Sequence, residues 1–187
     1  MRTQQRAGQM LVEAIIASSV LIMGFMGILA LLSRSLSLNR IATDNYRGSY
    51  LASEGIEIVK NMLDHNTELN IAAGAVGTSW DSLQGFATDA QTYVVDYTST
   101  KLSINTGKPL DFDPTTGFYS YANGNPNKQS NFTRTIKFTH IGSYRLDVQS
   151  IVTWQTGVFF SSVEADDQFY NWWPVSAIIP PPPPVPP

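Results

Sequence analysis

The pattern that most constrains this chain is Ala14 to Ser33, twenty positions without a charge. At a helical rise of ~1.5 Å per residue the run reaches ~30 Å, about one bilayer core, and inside lipid a single segment satisfies its backbone groups only as a helix. One acid, Glu13, stands at its mouth. A charge at membrane depth costs at least ~2.5 kcal/mol, so this carboxylate either lies shallow enough to reach the headgroups or has a function. Arg2 and Arg6 precede the run, the general layout of a signal peptide. No small-x-small cleavage site follows, however, and the run is longer than a usual signal core. A plain single-pass anchor with its N-terminus in the cytoplasm and an incidental acid is the alternative, although Arg34 and Arg40 on the far side weaken the charge asymmetry that would orient it.

The remainder of the 187 residues is enough for one packed domain, with 43% hydrophobic and 11% aromatic content overall. From His65 onward there are six Lys and Arg against ten Asp and Glu, a poor electrostatic match for nucleic acid. Cysteine is absent, which removes disulfides, thiol nucleophiles and thiolate metal ligands together. The two histidines, His65 and His140, do not form a pair at ligand spacing. No nucleophile with a positioned base, phosphate loop or metal cluster can be assembled. The chain therefore reads as a non-enzyme with no cofactor and no metal.

Beyond the membrane run, Leu51, Gly55, Ile58, Val59, Met62 and Leu63 recur at three and four residue intervals, while Glu54, Glu57 and Lys60 mark a polar flank that reads as solvated. One long helix from about Met10 to about Asp64 is expected. Glycines at 24, 27, 48 and 55 each cost ~1 kcal/mol relative to alanine inside such a helix. Close helix packing at Gly24 and Gly27 would explain two of them. His65 to Thr92 reads as an extended connection anchored by Trp80 and Phe86.

Strand signals follow. Thr92–Tyr97 and Lys101–Ile104 flank a short hairpin, and Gly117–Tyr121 precedes an Asn123-Gly124 turn. Phe132–His140 and Tyr144–Trp154 form the best antiparallel pair. Phe132, Ile136 and Phe138 share one face of the first, and Tyr144, Leu146, Val148, Val152 and Trp154 share one face of the second. Gly157–Glu164 adds a further strand, and the natural cover for the apolar face is the lower half of the long helix. Asp111 and Asp113 in Asp111-Phe112-Asp113-Pro114-Thr115-Thr116-Gly117 are either a sparse set of calcium ligands or an Asp-Pro turn. Tyr170, Trp172 and Trp173 are either core closures or an exposed patch. Pro180–Pro187, with seven of the eleven prolines, is an extended polyproline end, either solvated or docked on an aromatic groove.

The N-terminal residues also resemble a known family. Gly8 followed by Gln9-Met10-Leu11-Val12-Glu13 is similar to the prepilin signature of type IV pilins and type II secretion pseudopilins. Leu51-Ala52-Ser53-Glu54-Gly55-Ile56-Glu57 resembles the alanine and glutamate segment of minor pilins. Tyr144–Val148, Ile151–Trp154, Gly157 and Asn171-Trp172 resemble the closing strands of the minor pilins and minor pseudopilins that modify pilus assembly. The matched pieces span 1–63 and about 134–172.

The resemblance implies cleavage between Gly8 and Gln9 by prepilin peptidase, N-methylation of Gln9, and a role for Glu13 in assembly register. It implies an α+β, pilin-like fold: a leader at 1–8, a long helix at 9–64 whose first half is transmembrane, a β-rich head at 65–175 packed on its second half, and a proline-rich tail at 176–187. Other pilin subunits, prepilin peptidase, the inner-membrane assembly platform and, before assembly, membrane lipid are the implied partners. The location is the cytoplasmic membrane as a precursor, then a cell-surface filament or an envelope pseudopilus. The function expected is that of a minor structural subunit acting in assembly, initiation or tip display. A membrane-anchored adhesin or ligand-binding domain, a DNA-uptake pilin and a type II secretion minor pseudopilin are the alternatives.

Overall fold

A computed structural model of the chain describes residues 2–72, 80–81, 89, 91–121, 129–142 and 144–171, with side chains from Gly8 onward. Phe86, the Asn123-Gly124 turn, Trp172, Trp173 and Pro180–Pro187 lie outside the described residues. The chain divides into two units, Met1–Asp44 and Asn45–Pro187. Helix α1, Arg2–Ala72, runs through both. The architecture is α+β: a long apolar N-terminal helix and an antiparallel sheet packed on the helix's second half.

In the first unit every described residue up to Ile41 is exposed, including Leu21, Met23 and Leu31 at about 70%. The helix is long and apolar enough to cross a membrane. Two of its hydroxyls bond back into the helix, Ser18 donating to the carbonyl of Ala14 at 2.6 Å and Ser19 to that of Ile15 at 2.7 Å. Back-bonding of this kind removes the cost of carrying a polar group into an apolar medium. A Cβ built on Gly24 or Gly27 would meet nothing within 4 Å, so their small size serves no contact within this chain.

Among the described residues, the second unit is built on Asn45–Ala72 of α1 and seven strands. These are β1 (Tyr93–Val94), β2 (Ser103–Ile104), β3 (Asp111–Phe112), β4 (Tyr119–Ser120), β5 (Phe132–Ile141), β6 (Arg145–Thr156) and β7 (Phe159–Tyr170). The main sheet has the order β2-β1-β5-β6-β7, and β3 pairs with β4 separately, all antiparallel. Two-residue periodicity produces the inward faces. Phe132, Ile136 and Phe138 of β5 are buried with Leu146, Val148, Val152 and Trp154 of β6. On α1 the covering stripe is Leu51, Ala52, Val59, Met62 and Leu63, all buried, and full burial of a Val or Leu contributes roughly 1.5–3 kcal/mol.

Two of the five glycines on α1 have a packing reason. A Cβ on Gly48 would come within 2.5 Å of the Trp154 ring, and one on Gly55 would overlap Ser150 Oγ while approaching Ile136 Cδ1 to 3.0 Å. These glycines let the helix lie directly on the strands.

Several expectations are revised. The helix continues past Asp64 to Ala72, so the connection begins eight residues later than the composition suggests. Thr67 returns its hydroxyl to the carbonyl of Leu63 at 3.0 Å and Asn66 donates to that of Trp80 at 2.8 Å, which gives this polar stretch local partners as a helix. Tyr144 is exposed rather than inward, because it sits in the β5–β6 turn, where its carbonyl accepts from Asn171 N at 2.8 Å. Asp111 and Phe112 form a strand, and the expected Asp-Pro turn follows it at Asp113-Pro114. The turn is carried by Asp113, whose carboxylate accepts from Thr115 N at 2.9 Å and whose carbonyl accepts from Gly117 N at 2.7 Å. The two acids thus serve different elements. Strand β7 extends to Tyr170 through Asp166 and Asp167, which an edge strand accommodates because its outer positions stay in water.

Candidate functional site

Gly8, Gln9 and Glu13 lie together on α1 in the first unit, all exposed. Gln9 and Glu13 are four residues apart, hence one turn apart on the same face. A Cβ on Gly8 would meet nothing within 4 Å, so the Gly8–Gln9 bond is uncrowded. Among the described residues Glu13 has no ion-pair or hydrogen-bond partner.

In the second unit the dominant polar group is one that the sequence reading passed over, Arg134. It occupies an inward position of β5, between Phe132 and Ile136, and its side chain is fully buried. Its Nε and Nη2 donate to the carbonyl of Val95 at 3.1 and 2.6 Å, and Nη1 donates to the carbonyl of Leu51 at 2.9 Å. Nη1 also lies 3.3 Å from Glu54 Oε2. Glu54 therefore holds an ion pair and is not part of a merely solvated flank, whereas Glu57 is exposed as expected. The signal for Arg134 was present, since strict alternation from Phe132 to Phe138 places position 134 on the buried face.

Around this guanidinium the surrounding loops are fixed in turn. Asp96, next to Val95, accepts at Oδ1 from Thr98 N (2.9 Å), Thr98 Oγ1 (2.7 Å) and Ser99 Oγ (3.0 Å), and at Oδ2 from Tyr121 N (2.7 Å). Burial alone would raise this carboxyl, but the hydrogen bonds outweigh it and hold the pKa below the ordinary aspartate value. The Tyr121 hydroxyl donates to the carbonyl of Arg134 at 3.2 Å. Burial raises the Tyr121 phenol, so it remains a neutral donor.

Arg134, Gly55 and Ser150 form a polar layer that separates two apolar clusters. Leu51, Ala52, Leu110, Phe132, Val152 and Trp154 lie on one side, and a larger set including Val59, Leu63, Trp80, Tyr93, Phe138 and Leu146 on the other. Ser150 Oγ is buried and has no hydrogen-bond partner among the described residues.

A third polar group tethers the segment after the helix. His140 Nδ1 bonds Asp89 Oδ1, His140 N donates to Asp89 Oδ2 at 3.2 Å, and Nε2 lies 3.7 Å from Asp81 Oδ2. The side-chain hydrogen bond with His140 lowers the Asp89 carboxyl below its usual range. Among the described residues no group of His, Cys, Asp and Glu has the geometry of a metal site. The arrangement holds loops against strands and presents no set of groups converging on a reacting atom.

The chain matches no protein-family model, no curated protein and no solved structure. What the structure does show is a helix long and apolar enough to cross a membrane, with an antiparallel sheet packed on its second half.

Proposed function

We propose that the chain is a structural subunit, of the minor-pilin kind, of a type IV pilus or a related secretion filament. It is held in the cytoplasmic membrane as a precursor by the apolar run, cut between Gly8 and Gln9 by prepilin peptidase, and methylated at Gln9. The inner-membrane assembly platform then moves it from lipid into a filament of other pilin subunits.

One observation carries this reading. The Gly8-Gln9-Met10-Leu11-Val12-Glu13 motif stands at one end of an uninterrupted 71-residue helix whose other end is the packing stripe of an antiparallel sheet. A simple anchor needs a span and a linker, and has no use for a helix that continues without a break into the core of its head. A filament subunit does, because the same helix then serves as lipid anchor and as filament core. In a core with little water the Glu13 carboxylate is tolerable only when paired. The new amino terminus of a neighbouring subunit is a suitable partner, reached only in correct register.

Intact mass and N-terminal sequencing of the mature protein test this. A chain beginning at Gln9 and carrying one added methyl group is the expected result. An unprocessed Met1 start in a host with active prepilin peptidase would overturn the proposal. Abundance tests the minor-subunit assignment, which fails if the chain makes up most of the filament mass.

A further inference from the structure

The β6–β7 hairpin separates its chemistry along its length. Between Asp147 and Glu164 there are sixteen consecutive residues without a charge, and the acids Glu164, Asp166 and Asp167 follow only toward the far end of β7. The turn at the tip is a two-residue connection, Gly157-Val158, closed by the Thr156–Phe159 pair. Gly157 has φ +66° and Val158 does not enter the positive-φ region, the sign pattern of a type II′ turn.

At this tip Val158 is 80% exposed, Phe159 75% and Phe160 81%. Successive strand residues point to opposite faces: Phe159, opposite Thr156, is on the helix-facing side, so its exposure means that the tip extends past the core, and Phe160, opposite Gln155, is on the sheet's uncovered outer face. Three adjacent large apolar side chains in water are a feature that needs an occupant.

The packing of β6 on α1 shows which end of the unit the tip occupies. Leu146 shares a cluster with Val59, Met62 and Leu63, Ser150 faces Gly55, and Trp154 covers Gly48. As β6 proceeds toward its tip, it retraces the helix toward Asn45. The aromatic tip thus stands at the end of the unit where the chain enters from a segment long and apolar enough to cross a membrane.

We propose that Val158, Phe159 and Phe160 are a second membrane contact, inserted at the boundary of headgroups and acyl chains while the protein is membrane-anchored. A bilayer is the occupant that fits: it lies at the end to which the chain is covalently tied, it accepts apolar side chains without a complementary shape, and it favours a tip free of acids. The inference rests on the apolar run being a membrane span and is independent of filament assembly.

Because the sequence has no cysteine, Val158→Cys supplies a unique thiol. The full chain, labelled there with an environment-sensitive fluorophore, is reconstituted into vesicles of phosphatidylethanolamine and phosphatidylglycerol containing a lipid spin-labelled near the headgroup. Gln168→Cys, exposed at the other end of β7, is the reference. The expected result is blue-shifted emission and several-fold stronger quenching at 158 than at 168. Water-like emission at 158, or equal quenching at both positions, would overturn the proposal. If the protein fails to float with the vesicles, the span itself is refuted, a different failure from a floating protein with a wet tip. A probe that is wet in vesicles but shielded in filaments would make the tip a subunit contact and this inference wrong.

Discussion

The Nη1 group of Arg134 donates to the main-chain carbonyl of Leu51 at 2.9 Å, joining a strand to a helix residue 83 positions earlier. With Val95 bound by Nε and Nη2, one side chain ties α1, the segment after β1 and β5 together. The geometry uses what arginine has and lysine lacks, a planar fork with several fixed donors.

Replacing this residue is therefore the most damaging single change expected in the head. Arg134→Ala should lower unfolding free energy by about 3 kcal/mol or more, since it leaves buried acceptors unpaired and opens a cavity. Arg134→Lys should recover only part of the loss. Glu54→Gln should cost at most about 1 kcal/mol, because Glu54 is 30% exposed and its pairing is screened by solvent. Denaturant titration of the full chain in detergent, followed by tryptophan fluorescence, measures all three.

Gly55→Ala gains about 1 kcal/mol of helix propensity but drives a methyl group into Ser150, Ile136 and Arg134, a clash costing about 1–3 kcal/mol. Net destabilisation is expected. Ser150→Ala alone should be neutral or slightly stabilising, because it deletes a buried hydroxyl without a partner among the described residues. Combined with Gly55→Ala, it should restore part of the loss. A double-mutant cycle of melting temperatures reads this coupling, and strict additivity would refute the contact.

Acid should weaken the head through Asp96. Its folded pKa is depressed, so its contribution is fully present above the unfolded value of about 3.9 and is lost as pH falls through the folded value. Asp89, lowered by His140, acts in the same direction. Asp96→Asn should cost about 1–3 kcal/mol at neutral pH and flatten the acid limb of a stability profile taken between about pH 2 and 7. An unchanged acid limb would show that another group controls it.

If the proposed pilin-like role holds, Glu13→Val should leave cleavage after Gly8 intact while reducing incorporation into filaments, since in that reading the peptidase reads the cut site and the acid serves register. Immunoblots of precursor and mature forms, beside sheared filament fractions, separate the two effects. Unchanged incorporation would remove the pairing argument.

The elements carried by strong periodicity were readable without coordinates. The Leu51–Leu63 stripe and the alternation on β5 and β6 appear as expected because each is a repeating burial pattern, and the uncharged run at Ala14–Ser33 appears as a helix because its length and apolarity allow little else. The extents of β1, β3 and β4, two residues each, were not readable. They are held by single side chains such as Asp96 and Asp113, not by a pattern. Arg134 escaped for a related reason: its charge argued for the surface, and only three distant partners make its buried position tolerable. The exposure of Phe159 and Phe160 was equally hidden, since aromatics in a strand ordinarily indicate core. Gly8, Gln9 and Glu13 were visible only as a motif, and all three are exposed on α1.

The buried arginine also sets an order of events during synthesis. The helix stripe from Leu51 to Leu63 leaves the ribosome well before β5 and β6 exist, so its apolar surface has no cover until those strands have been made. Contacts spanning 83 residues carry a large loop-closure cost and form late, whereas the β5–β6–β7 meander pairs locally and early. Loop-closure cost on its own thus orders the local β5–β6–β7 pairing before the Arg134 hydrogen bonds to α1. A chain interrupted anywhere before β5 keeps the apolar run but lacks the β5 and β6 residues that cover the Leu51–Leu63 stripe.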